Sequence, residues 1–411
     1  MQNTLTGSGL PETVAPPAFA GVEEAVAALA EDRPIHVLYP ETLRAAVRRF
    51  HAGFSGSVMY AVKCNPDPTV LSELAAAGIA RFDVASIAEI EAVRRAAPNA
   101  RMSFMHPVKN RRAIRHAYLA GVRDFAVDSL DELDKIVEET QAGDLTVFVR
   151  LGLPKGQAVL DLSDKFGISG APAAELLRAA RGQAARLGVS FHVGSQCMDP
   201  AAFARGVAIA RETVDAAGVG VDILDVGGGF PVAYPGMNPP APEAFFTAID
   251  TAVAEYGFDG LPLLCEPGRA LVAEGGSLLA RVDLRKQDRL YLNDGTYGAL
   301  FDAGAMGWRY PVRRVGAGGE RGDGPLTAFR FFGPTCDSMD AMDGPFYLPA
   351  DMGEGDWIEI GHLGAYGAAM RTRFNGFHSD LTVRIEPAAK RARGEPAPVG
   401  IAAEPAAGGD G

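Results

Sequence analysis

The chain has 411 residues, with 39 Lys and Arg against 51 Asp and Glu, a formal net charge of −12. No basic run dominates a face, so nucleic acid is excluded as a partner. The length calls for two domains rather than one core, and 47% hydrophobic with 22% charged residues describes a globular, not a disordered, chain.

In chain order, residues 1–20 read as a flexible N-terminus, with no basic stretch leading into an apolar one, so no signal peptide is expected. PIHVLY (34–39) follows as a strand with no crossover helix before it. Eight further strands are predicted: SVMYAVK (57–63), ARFDV (80–84), RMSFM (101–105), DFAVD (124–128), LTVFVRL (145–151), GVSFHVG (188–194), DILDV (222–226) and PLLCE (262–266). Their starts are separated by 23, 21, 23, 21, 43, 34 and 40 residues, each enough for a crossover helix. Helix starts are marked by Asp67-Pro68 and Asp199-Pro200, and by the capping boxes Ser86/Glu89 and Ser129/Glu132. Eight strand–helix units over about 220 residues favour an α/β (β/α)8 barrel, with a doubly wound sheet as the alternative.

The longest uncharged stretch, 226–242, is broken by prolines and glycines and is no membrane span. Beyond residue 275, GSLLARVDLR, RLYLND, LTAFRFFG, DWIEIG and LTVRIEP are strands without long helices between them. The expected organisation is a barrel over 41–275 and a β domain built from 21–40 plus 276–385, so that the N-terminal strand joins the C-terminal sheet. Residues 386–411, rich in Ala, Pro, Gly and Glu, read as a disordered tail. Cys64, Cys197, Cys265 and Cys336 have neither zinc nor redox spacing, and the histidines form no ligand set. Reduced thiols, a cytoplasmic location and no metal are expected.

In such barrels catalytic groups gather at the carboxyl ends of the strands. Those ends carry Lys63, Asp83, His106, Asp128, Arg150, His192, Gly227-Gly228-Gly229 and Glu266-Pro267-Gly268-Arg269. A glycine run after strand seven and an arginine after strand eight suit a phosphate, which backbone N–H groups and a cation can hold. An isolated glycine triplet would be a tight turn; Arg269 in the neighbouring loop favours the phosphate. Lys63 ends an apolar strand, where burial disfavours the ammonium as a Schiff-base lysine requires, against the plainer alternative of a lysine reaching out over the rim. Phosphate plus such a lysine suggests pyridoxal phosphate, with Glu266 as carboxylate partner for the ring nitrogen.

The motifs YAVKCN (60–65), FDVAS (82–86), FHVGSQC (191–197), DVGGGFP (225–231), CEPGRALV (265–272), NDGTYG (293–298), GPTCDSMD (333–340) and GAYGAAMRTRFNGF (364–377) resemble, in this order, the fold-type III pyridoxal-phosphate decarboxylases. That family contains ornithine, lysine, arginine and diaminopimelate decarboxylases, and the likeness is strongest to the ornithine/lysine branch. It implies an alanine-racemase-like barrel with a β domain. It also implies that Lys63 carries the cofactor, Glu266 pairs with the pyridine nitrogen and His192 lies on the ring face. Ser195, Gly228, Gly229, Gly268, Arg269 and Tyr366 would bind the phosphate, and Asp83 and Arg150 would lie near Lys63 and the phenolic oxygen. Glu89 matches an active-site carboxylate of the family, although its capping role explains it equally well.

Cys336 would return a proton to Cα after CO2 departs, and Asp337, Asp302 and Tyr297 would meet the substrate, the two aspartates at its distal ammonium. Diaminopimelate decarboxylases usually carry Glu after the cysteine, so Asp337 favours L-ornithine, giving putrescine for polyamine biosynthesis, with L-lysine, giving cadaverine, beside it. The resemblance further implies a homodimer whose active sites are shared between subunits, with Lys165 reaching the partner's Asp340. The alternatives are a decarboxylase of arginine, diaminopimelate or a specialised metabolite, and a catalytically silent regulatory homologue.

Overall fold

The structure is a computed structural model, and it describes residues 15–29, 31–154, 165–316 and 325–386, together with the backbone of the strand Ala158–Leu160. The eight expected strands close into a parallel barrel: Ser57–Ala61, Arg81–Val84, Arg101–Phe104, Asp124–Val127, Thr146–Leu151, Arg186–Phe191, Ile223–Asp225 and Leu263–Cys265, the last pairing back onto the first. Closure removes both sheet edges and rules out the doubly wound alternative.

The outer helices start where their caps predict. Asp67 accepts from the N–H groups of Thr69 and Val70 ahead of Pro68–Ala76, and Ser86 accepts from Glu89 N ahead of Ile87–Ala96. Ser129 caps Leu130–Thr140 through Glu132 N, but the Glu132 side chain turns away to Lys109, so this capping box is only half formed. After Asp199-Pro200 the helix begins one residue later than expected, at Ala201. Helix residues such as Val70, Leu71 and Leu74 bury against the barrel wall, each contributing about 2 kcal/mol.

Inside the barrel, Met59, Met105, Ala126, Phe148, Ile223 and Leu264 form a separate apolar cluster. At the amino ends of the strands lies an ionic plug, in which buried Asp124 accepts from Ser103 Oγ at 2.9 Å, Arg81 Nη2 at 3.1 Å and Arg101 Nε at 2.8 Å. The barrel is therefore filled below, and only its carboxyl end is open to chemistry.

The second unit is a nine-stranded sheet. The strand Ile35–Leu38 lies between Gly276–Lys286 and Thr382–Ile385 in it, so the chain enters and leaves through this sheet. Ala18–Phe19 pairs with Thr382–Ile385, and Phe19 is buried, which holds the end of the segment expected to be loose; residues 1–14 lie outside the described residues. So do residues 387–411 of the expected tail. Two strands had no sequence signal: Val312–Val315 is half arginine, and Ala341–Pro349 contains a Gly-Pro pair that reads as a turn. No helix among the described residues is long and apolar enough to cross a membrane.

Candidate active site

The carboxyl end of the barrel opens into a cavity of about 390 Å³. Its wall brings together Lys63, Asp83, Arg150, His192, Ser195, Glu266, Arg269, Asp302 and Tyr366, nine of the residues singled out in the sequence. Lys63 sits in a single 3-10 turn, Val62–Cys64, just beyond its strand, and its side chain, 48% accessible, faces the cavity rather than the apolar strand core. Burial pulls its ammonium pKa down, but Asp83, with Oδ2 at 3.7 Å, and Glu266 outweigh that and the net shift is upward. Burial thus disfavours the charged form as expected, but the neighbouring acids, Asp83 first, more than offset it.

Glu266 follows the eighth strand, and its N–H donates to Gly227 O at 2.7 Å. Burial first, then the carboxyls of Asp225 and Asp83, push its pKa well above the usual carboxylate range. His192 accepts from Gly194 N through Nδ1 at 3.0 Å. Burial and the charges of Arg150 and Lys63 hold its pKa well below the ordinary value, so the imidazole is neutral. A neutral ring with a fixed tautomer is suited to lie flat on another ring.

The glycines are demanded by the backbone. A Cβ on Gly228 would meet Glu266 O at 2.5 Å and His192 Nε2 at 3.1 Å. Gly229 has φ +110° and a Cβ there would lie 2.3 Å from Gly194 O, while one on Gly268 would strike Cys64 Sγ at 2.1 Å. Arg269 is sandwiched between Trp308 at 4.4 Å and Tyr366 at 4.8 Å and donates to Tyr234 Oη at 3.1 Å. Its Nη1 is 3.8 Å from Asp302 Oδ2. Tyr366, at φ +64°, donates its N–H to Cys64 O, and so stitches the β-sheet unit to the barrel loop that carries Lys63.

Three buried polar atoms of this wall lack hydrogen-bond partners among the described residues: Asp83 Oδ1, Arg269 Nε and Asp302 Oδ2. Orphaned polar atoms at a cavity wall are costly unless a ligand satisfies them. A cation, a glycine loop whose Cβ space is taken and a serine on one side, with a carboxyl and a lysine elsewhere on the wall, fit a phosphorylated aromatic aldehyde. Lys63 would take the aldehyde carbon, Glu266 the ring nitrogen, and Ser195, Gly228, Gly229, Gly268, Arg269 and Tyr366 the phosphate.

Other expected residues fall outside this wall. Glu89 Oε2 accepts from Ala85 N at 2.7 Å, one residue before the N-cap, and its own N–H donates to Ser86 Oγ. Cys336 and Asp337 line a different cavity, together with Tyr291, Phe332 and Phe377. Tyr297 Oη donates to Asp337 Oδ2 at 2.7 Å, and its ring packs tilted against Phe374 with centroids 4.7 Å apart. Asp340 is buried: Oδ1 accepts from Thr296 N, and Oδ2 from Thr335 N and Oγ1. These bonds lie within its own chain, where Asp340 also lines the Cys336 cavity, and Lys165 lines the Lys63 cavity beside Phe166. The sequence reading missed Asp225, Tyr234 and Trp308. Asp225 had a signal, as an acid directly before the glycine run, whereas nothing local marks the two aromatics.

Residues 41–273 match the family model described as pyridoxal-dependent decarboxylase, pyridoxal binding domain. The lysine/ornithine decarboxylase of Selenomonas ruminantium is 34% identical over 339 residues, covering 80% of this chain and 83% of the relative. A lysine/ornithine decarboxylase from Vibrio vulnificus, solved with putrescine, superposes with a TM-score of 0.76 at 29% identity, over 89% of this chain and 97% of that one. The arginine decarboxylase of Paramecium bursaria Chlorella virus gives a TM-score of 0.79 at 25% identity, over 89% and 99%.

Proposed function

Because this chain belongs to the pyridoxal-dependent decarboxylase family, with pyridoxal 5'-phosphate as its cofactor, we propose that it is a homodimeric decarboxylase of a dibasic L-amino acid. L-Ornithine, giving putrescine for polyamine biosynthesis, is the first substrate, and L-lysine, giving cadaverine, the second. The observation that carries this reading is Asp302: a buried carboxylate oxygen without a hydrogen-bond partner among the described residues, in the wall of the cavity that Lys63 enters. With Arg269 Nη1 3.8 Å away and beyond hydrogen-bond reach, a distal ammonium of the substrate is a group that would satisfy it.

When bound, the cofactor supplies the electron sink for the pair released as CO2 departs. The chain does the rest. Lys63 would hold the cofactor through Nζ, with Asp83 as its counter-charge. Arg150 would lie near the phenolic oxygen, and neutral His192 would pack against the ring and exclude water. Arg269, braced by Trp308, Tyr366 and Tyr234, would hold the phosphate with Ser195, the glycine loop, Gly268 and Tyr366. Cys336 would return the proton to Cα, a task for which an accessible thiol is suited.

Dimerisation is supported by the separation of the two cavities. Cys336 and Asp337 do not line the Lys63 cavity of their own chain, so a second copy would deliver them. Around that loop Met339 (71% accessible), Phe374 and Phe377 stand exposed, an apolar rim that a second copy would cover. A cytoplasmic location is supported by the four cysteines, all free thiols. The test is product formation in D2O: incubation with L-ornithine should yield putrescine carrying one non-exchangeable deuterium at the former Cα. No diamine from ornithine or lysine would overturn the reading.

A further inference from the structure

Asp225 ends the seventh barrel strand and is wholly buried between the strands that carry His192 and Glu266. Its Oδ1 accepts from Gly227 N at 2.9 Å, and Gly227 O accepts from Glu266 N at 2.7 Å. One residue thus links the Asp225 side chain to the Glu266 backbone, through the two peptide groups on either side of its Cα. That residue is a glycine at φ +68°, where a Cβ would lie 2.0 Å from Phe191 O, so its path is fixed. The Asp225 Oδ2 is buried and has no hydrogen-bond partner among the described residues. The reading of the site above gives Asp225 no task.

We propose that Asp225 is a positioning residue for the reaction: through Gly227 it fixes the backbone of Glu266 beside the cofactor ring, and its buried carboxyl next to Glu266 favours a protonated ring nitrogen. The inference rests on the reading of Glu266 as the ring-nitrogen partner.

The surroundings agree. Burial pushes Asp225 up to about 6, against the bonds from Gly227 and Glu266. Burial, Asp225 and Asp83 push Glu266 well above the usual carboxylate range. The other groups facing the pair are Lys63 from the first strand, Arg81 and Asp83 from the second and Cys265 from the eighth. Arg81 hydrogen-bonds Asp124 at the opposite end of the barrel, and its pull on Asp225 is outweighed by burial.

The test uses holoenzyme loaded with cofactor labelled with 15N in the ring, whose chemical shift reports protonation of the ring nitrogen across pH. Asp225→Asn keeps the shape and the hydrogen bond to Gly227 but removes the charge. Its nitrogen should lose the proton about 1 pH unit lower than in wild type, and kcat should fall about tenfold with KM little changed. Glu266→Gln should lower the midpoint further. If Glu266→Gln shifts the midpoint and Asp225→Asn does not, the inference fails while the role of Glu266 stands. If neither shifts it, both fail. Should Asp225→Asn not fold, infrared spectra of the cofactor-free wild type decide. A protonated-carboxyl band at neutral pH that vanishes in Glu266→Gln supports a Glu266 made basic by its buried neighbours, and its absence overturns the inference.

Discussion

Tyr297 Oη donates a 2.7 Å hydrogen bond to Asp337 Oδ2, tying the NDGTYG loop to the GPTCDSMD loop. The bond spends only one lone pair, and Met339 N donates at 2.9 Å to the other oxygen, so the carboxylate is aimed but not exhausted. These two donors hold its pKa below the usual carboxylate value, so Asp337 stays ionised on the acid side of neutrality. Asp337→Ala should lower kcat/KM for ornithine on the order of 100-fold while cofactor absorption survives. Tyr297→Phe should raise KM with kcat nearly constant. Steady-state kinetics check both.

Attachment at Lys63 predicts a yellow protein whose visible band vanishes on borohydride reduction. Peptide mass mapping should find the phosphopyridoxyl label on Lys63 and on no other lysine. Lys63→Ala should lack the band.

Lys109 is buried behind the loop that carries His106, and its Nζ donates to His106 O at 2.9 Å, Ala126 O at 2.6 Å and Glu132 Oε1 at 3.0 Å. Burial brings its pKa down to about 8, against the pull of Glu132. Between about pH 8 and the ordinary lysine value near 10.4 the unfolded chain therefore binds more protons at this site than the folded one. The contribution of Lys109 to stability should rise with pH across that window. Lys109→Met should abolish this rise and, by stripping three acceptors of their donor, lower Tm at neutral pH. Thermal melts of both proteins at stepped pH check it.

The separate cavities predict complementation. Lys63→Ala and Cys336→Ala chains should each be nearly inactive alone. Mixed under exchanging conditions, half the dimers are mixed and each holds one intact site, so about a quarter of wild-type activity should return. No recovery, with mixed dimers seen by native mass spectrometry, would mean that both residues of a site come from one chain.

The barrel was legible because each of its eight strands is apolar and bounded by a cap or turn, and because strand-end residues from Lys63 to Arg269 carry most of the ionisable chemistry. The cavity wall was legible for the same reason. What the sequence concealed depends on long-range packing: Trp308 reaches Arg269 from 39 positions later in the chain, and Val312–Val315 is a strand only because Trp357–Ile360 pairs with it. Lys63 misled because its neighbours along the strand are apolar, while its charge environment comes from Asp83 and Glu266 on other strands.

The most direct test of the account is release of labelled CO2 from carboxyl-labelled L-ornithine, L-lysine, L-arginine and diaminopimelate by the purified, cofactor-loaded protein. Ornithine should give the highest kcat/KM, lysine should follow, and Asp302→Asn should depress both. Release from none of the four, or from diaminopimelate alone, would contradict it.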